Sequence, residues 1–201
     1  MTVLEHFREA GALLDGHFIL SSGLHSSKYL QCALALRHPA DALEIGRQIA
    51  NSYRDSDIET VASPAIGGLI IGFATAAALD VPFIWTERQN GEMTLRRGFL
   101  LRDGEKILVV EDVITTGGST RECIAALNAN GGNVIAAASI IDRSNGVANV
   151  GIPRISLVSL DVPSYTTDDC PMCRDGVPAI KPGSKGEPPA SAGGLSLTSN
   201  R

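Results

Sequence analysis

The order of apolar segments predicts an α/β fold, a central parallel sheet flanked by helices, and three observations carry that expectation. Residues 58–62, 63–68, 69–79 and 81–85 read in turn as an apolar strand, a glycine-containing turn, a small-residue helix and a second strand, the order of a parallel crossover unit. Residues 107–142 repeat it, with the apolar strand Ile107, Leu108, Val109, Val110, a loop, a helix through Cys123 and Leu127, and a buried strand over 134–142. Composition agrees: 201 residues, 44% hydrophobic and 19% charged, suit one ordinary domain. A chain this long buries roughly 70% of its unfolded surface, so no staple is required for stability. With aromatics at only 4%, aliphatic side chains must fill the interior.

The remaining elements follow in order. Leu4, Phe7, Ala10 and Leu14 have the spacing of a short amphipathic helix ended by Asp15 and Gly16. Residues 17–31 read as a short strand, a Ser-Ser-Gly turn and a second strand over 28–30. Pro39 suits a first helical turn, and Ala42, Ile45, Ile49 and Tyr53 recur at helical spacing behind it. Residues 87–97 are polar, carry Gln89-Asn90-Gly91, and predict a mobile loop or hairpin. Gly131 and Gly132 cap the helix before the 134–142 strand, and residues 155–160 are expected to form the last strand. Beyond about residue 174 the composition turns to Pro, Gly, Ser, Ala and Lys. Residues 181–201 are expected to be a disordered tail, because such a stretch buries too little apolar surface to order itself.

Charge and length exclude several classes of function. The net charge is -5, with no block of Lys or Arg, which argues against long nucleic acid as a partner. No stretch reaches the ~20 apolar residues of a membrane span. Residues 1–16 place Glu5, Arg8 and Glu9 among the apolar positions, unlike a secretory leader, so the cytoplasm is the expected compartment. Cys32 and Cys123 lie in apolar surroundings and read as buried bystanders, whereas Cys170 and Cys173 form a Cys-Pro-Met-Cys pair. That pair supplies two metal ligands, and zinc would need two more from a second subunit or elsewhere in the chain; a redox couple or an incidental pair are the other readings.

The chemistry concentrates in residues 107–122. An apolar strand delivers Glu111 and Asp112, and Val113, Ile114, Thr115, Thr116, Gly117, Gly118 and Ser119 then lead into a helix, where open α/β sheets bind ligands. Backbone N–H groups of such a turn, together with the helix amino terminus, form a phosphate site; the glycines allow close approach and the hydroxyls add donors. The two carboxylates cannot bind phosphate, but they can accept hydrogen bonds from ribose hydroxyls or hold a hydrated magnesium ion. A sugar phosphate is the ligand class this combination predicts. There is no G-x-x-x-x-G-K-[ST] and no G-x-G-x-x-G after a strand.

The run from Glu111 to Ser119 closely resembles the phosphoribosyl diphosphate signature of the type I phosphoribosyltransferases. Among these the chain is similar to the orotate phosphoribosyltransferases, through residues 22–29, the 63–68 turn and Ile141-Asp142-Arg143. The resemblance, which covers about residues 1–183, implies the type I phosphoribosyltransferase fold with a small amino-terminal hood over about residues 1–36, within a domain spanning residues 1–180. It implies transfer of ribose 5-phosphate from phosphoribosyl diphosphate to orotate with Mg2+ carried by the diphosphate. Thr115 to Ser119 would bind the 5-phosphate, Glu111 and Asp112 the ribose, and Thr115 with Arg143 the orotate. The 63–68 turn, with Ala65 and Gly67, matches the pyrophosphate loop. A homodimer is implied, with the mobile loop of one subunit over its neighbour's site.

The chain departs from many members of that family. Its 86–99 loop has no lysine, Gly67 stands where many carry lysine, and Ser21 stands where many carry a lysine near the orotate site. With the Cys-Pro-x-Cys and Lys-Pro-Gly-Ser ending, this pattern resembles a distinct branch. Arg88, Arg96 and Arg97, beside Glu87, are expected to replace the missing lysines as the charge clamp on pyrophosphate. Two alternatives accompany this reading: a transferase acting on another nucleobase, and a regulator that senses phosphoribosyl diphosphate without turning it over.

Overall fold

The structure is a computed structural model that describes residues 2–20 and 22–182. Ser21 and, apart from Lys181 and Pro182, the expected tail lie outside the described residues. By contact the chain divides into two units, residues 1–13 with 30–161, and residues 14–29 with 162–201. This grouping differs from a hood over residues 1–36, because residues 14–29 are grouped with a carboxyl-terminal segment.

The first unit holds a six-stranded sheet. In chain order its elements are α1 (Val3–Glu9), then, after β1 (Leu13–Ile19) and β2 (His25–Leu30), α2 (Cys32–Ala35), α3 (Pro39–Asn51), β3 (Thr60–Pro64), α4 (Gly68–Leu79), β4 (Phe83–Gln89), β5 (Glu92–Leu95), β6 (Glu105–Ile114), α5 (Gly118–Ala129), β7 (Gly132–Asp142) and β8 (Arg154–Ser159). The strand order is β5-β4-β3-β6-β7-β8. All neighbours are parallel except β4 and β5, which form an antiparallel hairpin pairing Thr86 with Leu95 and Gln89 with Glu92. The polar segment after residue 86 is therefore a hairpin, with Asn90 and Gly91 at positive φ in its turn.

Alternation along β6 explains why helices cover both faces. Ile107 and Val109 pack with Cys123, Ile124 and Leu127 of α5, while the intervening Leu108 and Val110 are fully buried on the opposite side. There α4 lies against β3 and β6, and α3 packs on α4. Glycine sets that contact: a Cβ on Gly46 would stand 2.5 Å from the backbone of Ala74. Substituting either face of such a strand would leave a cavity or an overpacked core.

Three local expectations change. The first helix ends at Glu9, not at Asp15, because Gly11 takes φ +67 and Leu13 already begins a strand. Its start is held by a capping box in which Thr2 Oγ1 accepts from the Glu5 N–H and Glu5 Oε2 accepts from the Thr2 N–H. Strand β6 extends to Ile114, so Glu111 and Asp112 lie within the strand. Strand β8 is not the last element: β9 (Ser164–Tyr165) and α6 (Pro171–Arg174) follow.

The second unit contains a three-stranded sheet of order β1-β2-β9, with β2 and β9 antiparallel and His25 opposite Tyr165. Ile180 bridges to Phe18, and the Ile19 N–H donates to the Ile180 carbonyl. No described helix is long and apolar enough to cross a membrane.

Candidate active site

A cleft of about 440 Å³ opens at the carboxyl ends of β3 and β6, lined by Pro64, Ala65, Gly67, Arg88, every residue from Glu111 to Thr120, and Glu122. The predicted run is thus gathered on one wall and the 63–68 turn stands beside it. Gly117 permits this path: its φ is +74 and a Cβ there would lie 2.9 Å from Val150 Cγ1. Helix α5 starts at the next residue with no side-chain cap, so its first N–H groups face the cleft's contents without an internal side-chain acceptor. Arg121, which sequence reasoning passed over, pins the loop by donating from Nη1 to the carbonyls of Thr116 and Asn149, both at 2.8 Å.

Glu111 is buried and Asp112 half-buried. Burial, then the adjacent Asp112, push the Glu111 carboxyl up to about 9, and its Oε2 has no hydrogen-bond partner. Asp112 is also raised, chiefly by burial, although the Val113 N–H donates to its Oδ1 at 2.8 Å. Such a pair is held ready for donors that the protein itself does not supply, and ribose hydroxyls are donors of that kind. Gly67 comes close to this pair: a Cβ there would stand 2.8 Å from Asp112 Oδ1, so a side chain at 67 would require the Asp112 carboxylate to shift. Cys32 is buried near the acidic pair: burial first, then the charges of Asp112 and Glu111, raise its thiol well above the ordinary range. No spacing rule links position 32 to position 112, so only the fold could reveal it.

Arg143 follows β7, and its N–H donates to the Ile114 carbonyl at 2.8 Å. Its guanidinium is half-buried, with Nε lacking a partner, and desolvation lowers its pKa. The neighbouring loop is built on Asp142, whose carboxylate takes hydrogen bonds from Ser144, Gly146 and Arg154. Burial pushes that carboxyl up, but these donors together hold it below its ordinary range.

The loop arginines separate. Arg88 lines the cleft and pairs with Glu122, while its Nη1 donates to the Gly91 carbonyl. Arg96 and Arg97 instead meet on Glu87, at 3.1 and 3.0 Å, and neither lines the cleft. Of the three arginines expected in the clamp, Arg88 lines the cleft of its own chain, and the exposed Arg96 and Arg97 are paired with Glu87 on the hairpin.

Residues 35–162 match the phosphoribosyl transferase domain family. The chain belongs to that family. Among curated phosphoribosyltransferases it is 50% identical over 184 residues to the orotate phosphoribosyltransferase of Thermotoga petrophila, covering 92% of this chain and 98% of that one. It is 45% identical to the orotate phosphoribosyltransferase of Desulforamulus reducens, covering 91% and 96%. Among solved phosphoribosyltransferases, the orotate phosphoribosyltransferase from Aeropyrum pernix superposes with a TM-score of 0.65 at 27% identity, over 79% of this chain and 94% of that one. The type I phosphoribosyltransferase fold expected from the sequence is the fold observed.

Proposed function

We propose that the chain is an orotate phosphoribosyltransferase, a pentosyltransferase that converts orotate and phosphoribosyl diphosphate into orotidine 5'-monophosphate and pyrophosphate in pyrimidine nucleotide synthesis. The observation that carries this reading is one cleft holding an uncapped helix amino terminus beside the buried Glu111, which has an unpartnered oxygen, and the half-buried Asp112. Orotate as the base draws on the relatives' activity and on Arg143, whose half-buried guanidinium suits a carboxylate bound through two parallel hydrogen bonds.

The residues divide the work. N–H groups and hydroxyls from Thr115 to Ser119 receive the 5-phosphate, so the ribose is fixed at one end. Glu111 and Asp112 accept from the ribose hydroxyls. In the loaded site, donors from the ribose hydroxyls and the nearby magnesium charge would favour the ionised form of this pair, whose negative charge then offsets the positive charge that grows on the ribose as the bond from its anomeric carbon to the pyrophosphate oxygen breaks. The orotate ring nitrogen forms the new bond to that carbon, its proton leaves, and the bond pair of the broken linkage departs with pyrophosphate. Backbone at Ala65 and Gly67, with Arg88, meets the leaving group. The oxygen-rich wall at Glu111 and Asp112 suits a hydrated magnesium ion. Those two carboxylates would accept its water ligands, and magnesium bound to the diphosphate offsets phosphate charge.

The enzyme is further proposed to act in the cytoplasm as a homodimer, a state supported by the exposed apolar side chains Ile66, Ile70 and Phe73 on and just before α4. In that dimer Arg96 and Arg97 would face a neighbouring site. Sedimentation at several concentrations tests it, and a monomer at all of them would refute it.

The deciding assay follows orotate consumption by ultraviolet absorbance with phosphoribosyl diphosphate and magnesium, and offers adenine, hypoxanthine and uracil as competing bases. Turnover of orotate alone is expected. Turnover of another base instead, or binding of phosphoribosyl diphosphate with no turnover, would overturn the reading.

A further inference from the structure

The second unit has almost no apolar interior. Among its described residues the buried ones are His17, Phe18, His25, Ser26 and Cys170, so three of five carry metal-binding atoms. Segments with so little apolar burial gain little hydrophobic stabilisation of their own, and small units of that kind ordinarily rely on disulfides or metals.

The side chains around that interior converge. His17 on β1 and His25 on β2 meet Cys170 and Cys173, which flank the first turn of α6, and one ligand atom from each residue falls within 4.8 Å of all the others. Cys170 Sγ is 3.5 Å from His17 Nε2, and Cys173 Sγ is 3.7 Å from His17 Nε2 and 3.3 Å from His25 Nδ1. A tetrahedral zinc ion with Zn–S of about 2.3 Å and Zn–N of about 2.0 Å demands sulfur-to-nitrogen edges of about 3.5 Å. The three observed edges bracket that value. The two ring nitrogens, at 2.7 Å, stand closer than the roughly 3.3 Å of a loaded site, and a small rotation of either ring supplies the difference.

The groups behind the two rings point the same way. His17 Nδ1 lies 2.7 Å from the Val177 carbonyl, which can only accept, so in the neutral ring Nδ1 carries the proton and Nε2 turns its lone pair to the cluster. His25 is likewise oriented from behind, with Nε2 at 3.4 Å from Thr167 Oγ1.

We propose that His17, His25, Cys170 and Cys173 form a structural zinc site within a single chain, tying the β1–β2 hairpin to the carboxyl-terminal segment. Two thiolates and two imidazoles select zinc over hard cations, and four protein ligands leave no open position for catalysis. The missing pair of ligands that Cys170 and Cys173 require thus comes from the same chain, not from a second subunit.

The test uses the full-length protein, without an affinity tag, expressed in zinc-supplemented medium and measured for metal by plasma mass spectrometry. About one zinc per chain is expected, falling to near zero in the Cys170→Ala/Cys173→Ala double variant. Should that variant not fold, the wild-type protein stripped of metal and reloaded with cobalt(II) decides. The visible ligand-field bands of a tetrahedral ion with a thiolate charge-transfer band are expected, both displaced by one equivalent of zinc. Wild-type protein that carries no zinc and gives no such spectrum, or that contains a Cys170–Cys173 disulfide as isolated under reducing-agent-free conditions, would overturn the proposal. So would undiminished zinc in a folded double variant.

Discussion

The cleft on the six-stranded sheet and the His/Cys cluster of the smaller unit are both built from polar side chains, yet they are assembled in opposite ways. Ten of the cleft's fifteen lining residues come from one stretch of chain, residues 111–120, so strand, turn and helix deliver most of it together. The cluster gathers residues 17 and 25 with residues 170 and 173 across about 150 positions of sequence. Local geometry makes the first, whereas the second exists only once distant segments pair. The consequence is energetic as well as descriptive. The cleft keeps buried polar groups unpaired for a ligand, and the cluster spends its polar groups on holding the chain.

The largest test of that contrast falls on Glu111. With its carboxyl held up to about 9 against an ordinary 4.5, the folded protein keeps a proton that the unfolded chain has lost between those values. The contribution to stability therefore falls as pH rises through that window, with a slope of up to ~1.4 kcal/mol per pH unit. In chemical denaturation without ligand or magnesium, Glu111→Gln is expected to gain on the wild type steadily as pH rises from 5 to about 9. Parallel pH profiles for the two proteins would show that the carboxylate is not desolvated.

Arg143→Ala comes next. Leaving a substrate carboxylate without its buried partner is expected to lower kcat/KM for orotate ~100-fold, about 3 kcal/mol, with phosphoribosyl diphosphate affinity little changed. An equal loss on both substrates would move Arg143 out of base recognition. At Gly117 an alanine must adopt φ +74 against Val150, and about 2 kcal/mol of strain should weaken phosphoribosyl diphosphate binding ~30-fold by titration calorimetry. Arg88→Ala should reduce kcat roughly tenfold, one charge-assisted contact being worth about 1.5 kcal/mol. Glu87 holds Arg97 away from the cleft of its own chain, so its route to the chemistry is the neighbouring site of the proposed dimer; Arg97→Ala should lower kcat about threefold through that site, and an unchanged kcat would remove Arg97 from it.

Much of the larger unit was legible before any coordinates. Two repeats of strand, turn and helix announced a parallel sheet, and the acidic pair with its Thr/Gly/Ser turn announced the cleft, because each pattern is complete within about 30 residues. Position errors arose where backbone conformation overrode periodicity, as at Gly11, whose positive φ ends α1 early. Cys32 beside Asp112, Arg121 across two carbonyls and the pairing of Arg96 and Arg97 with Glu87 left no mark in spacing. Each depends on which elements the sheet order makes neighbours.

By itself the sequence determined the class of fold, the Thr/Gly/Ser loop at the start of α5 and the carboxylates that accompany it, since these follow from local periodicity, glycine conformation and contiguous chemistry. Tertiary structure alone decided which arginine enters the cleft, how closely Gly67 approaches the Asp112 carboxylate, and which two histidines complete a Cys-Pro-Met-Cys pair. Those outcomes rest on contacts between segments far apart in the chain, whose geometry is set by burial and strand pairing and by nothing that adjacent residues encode.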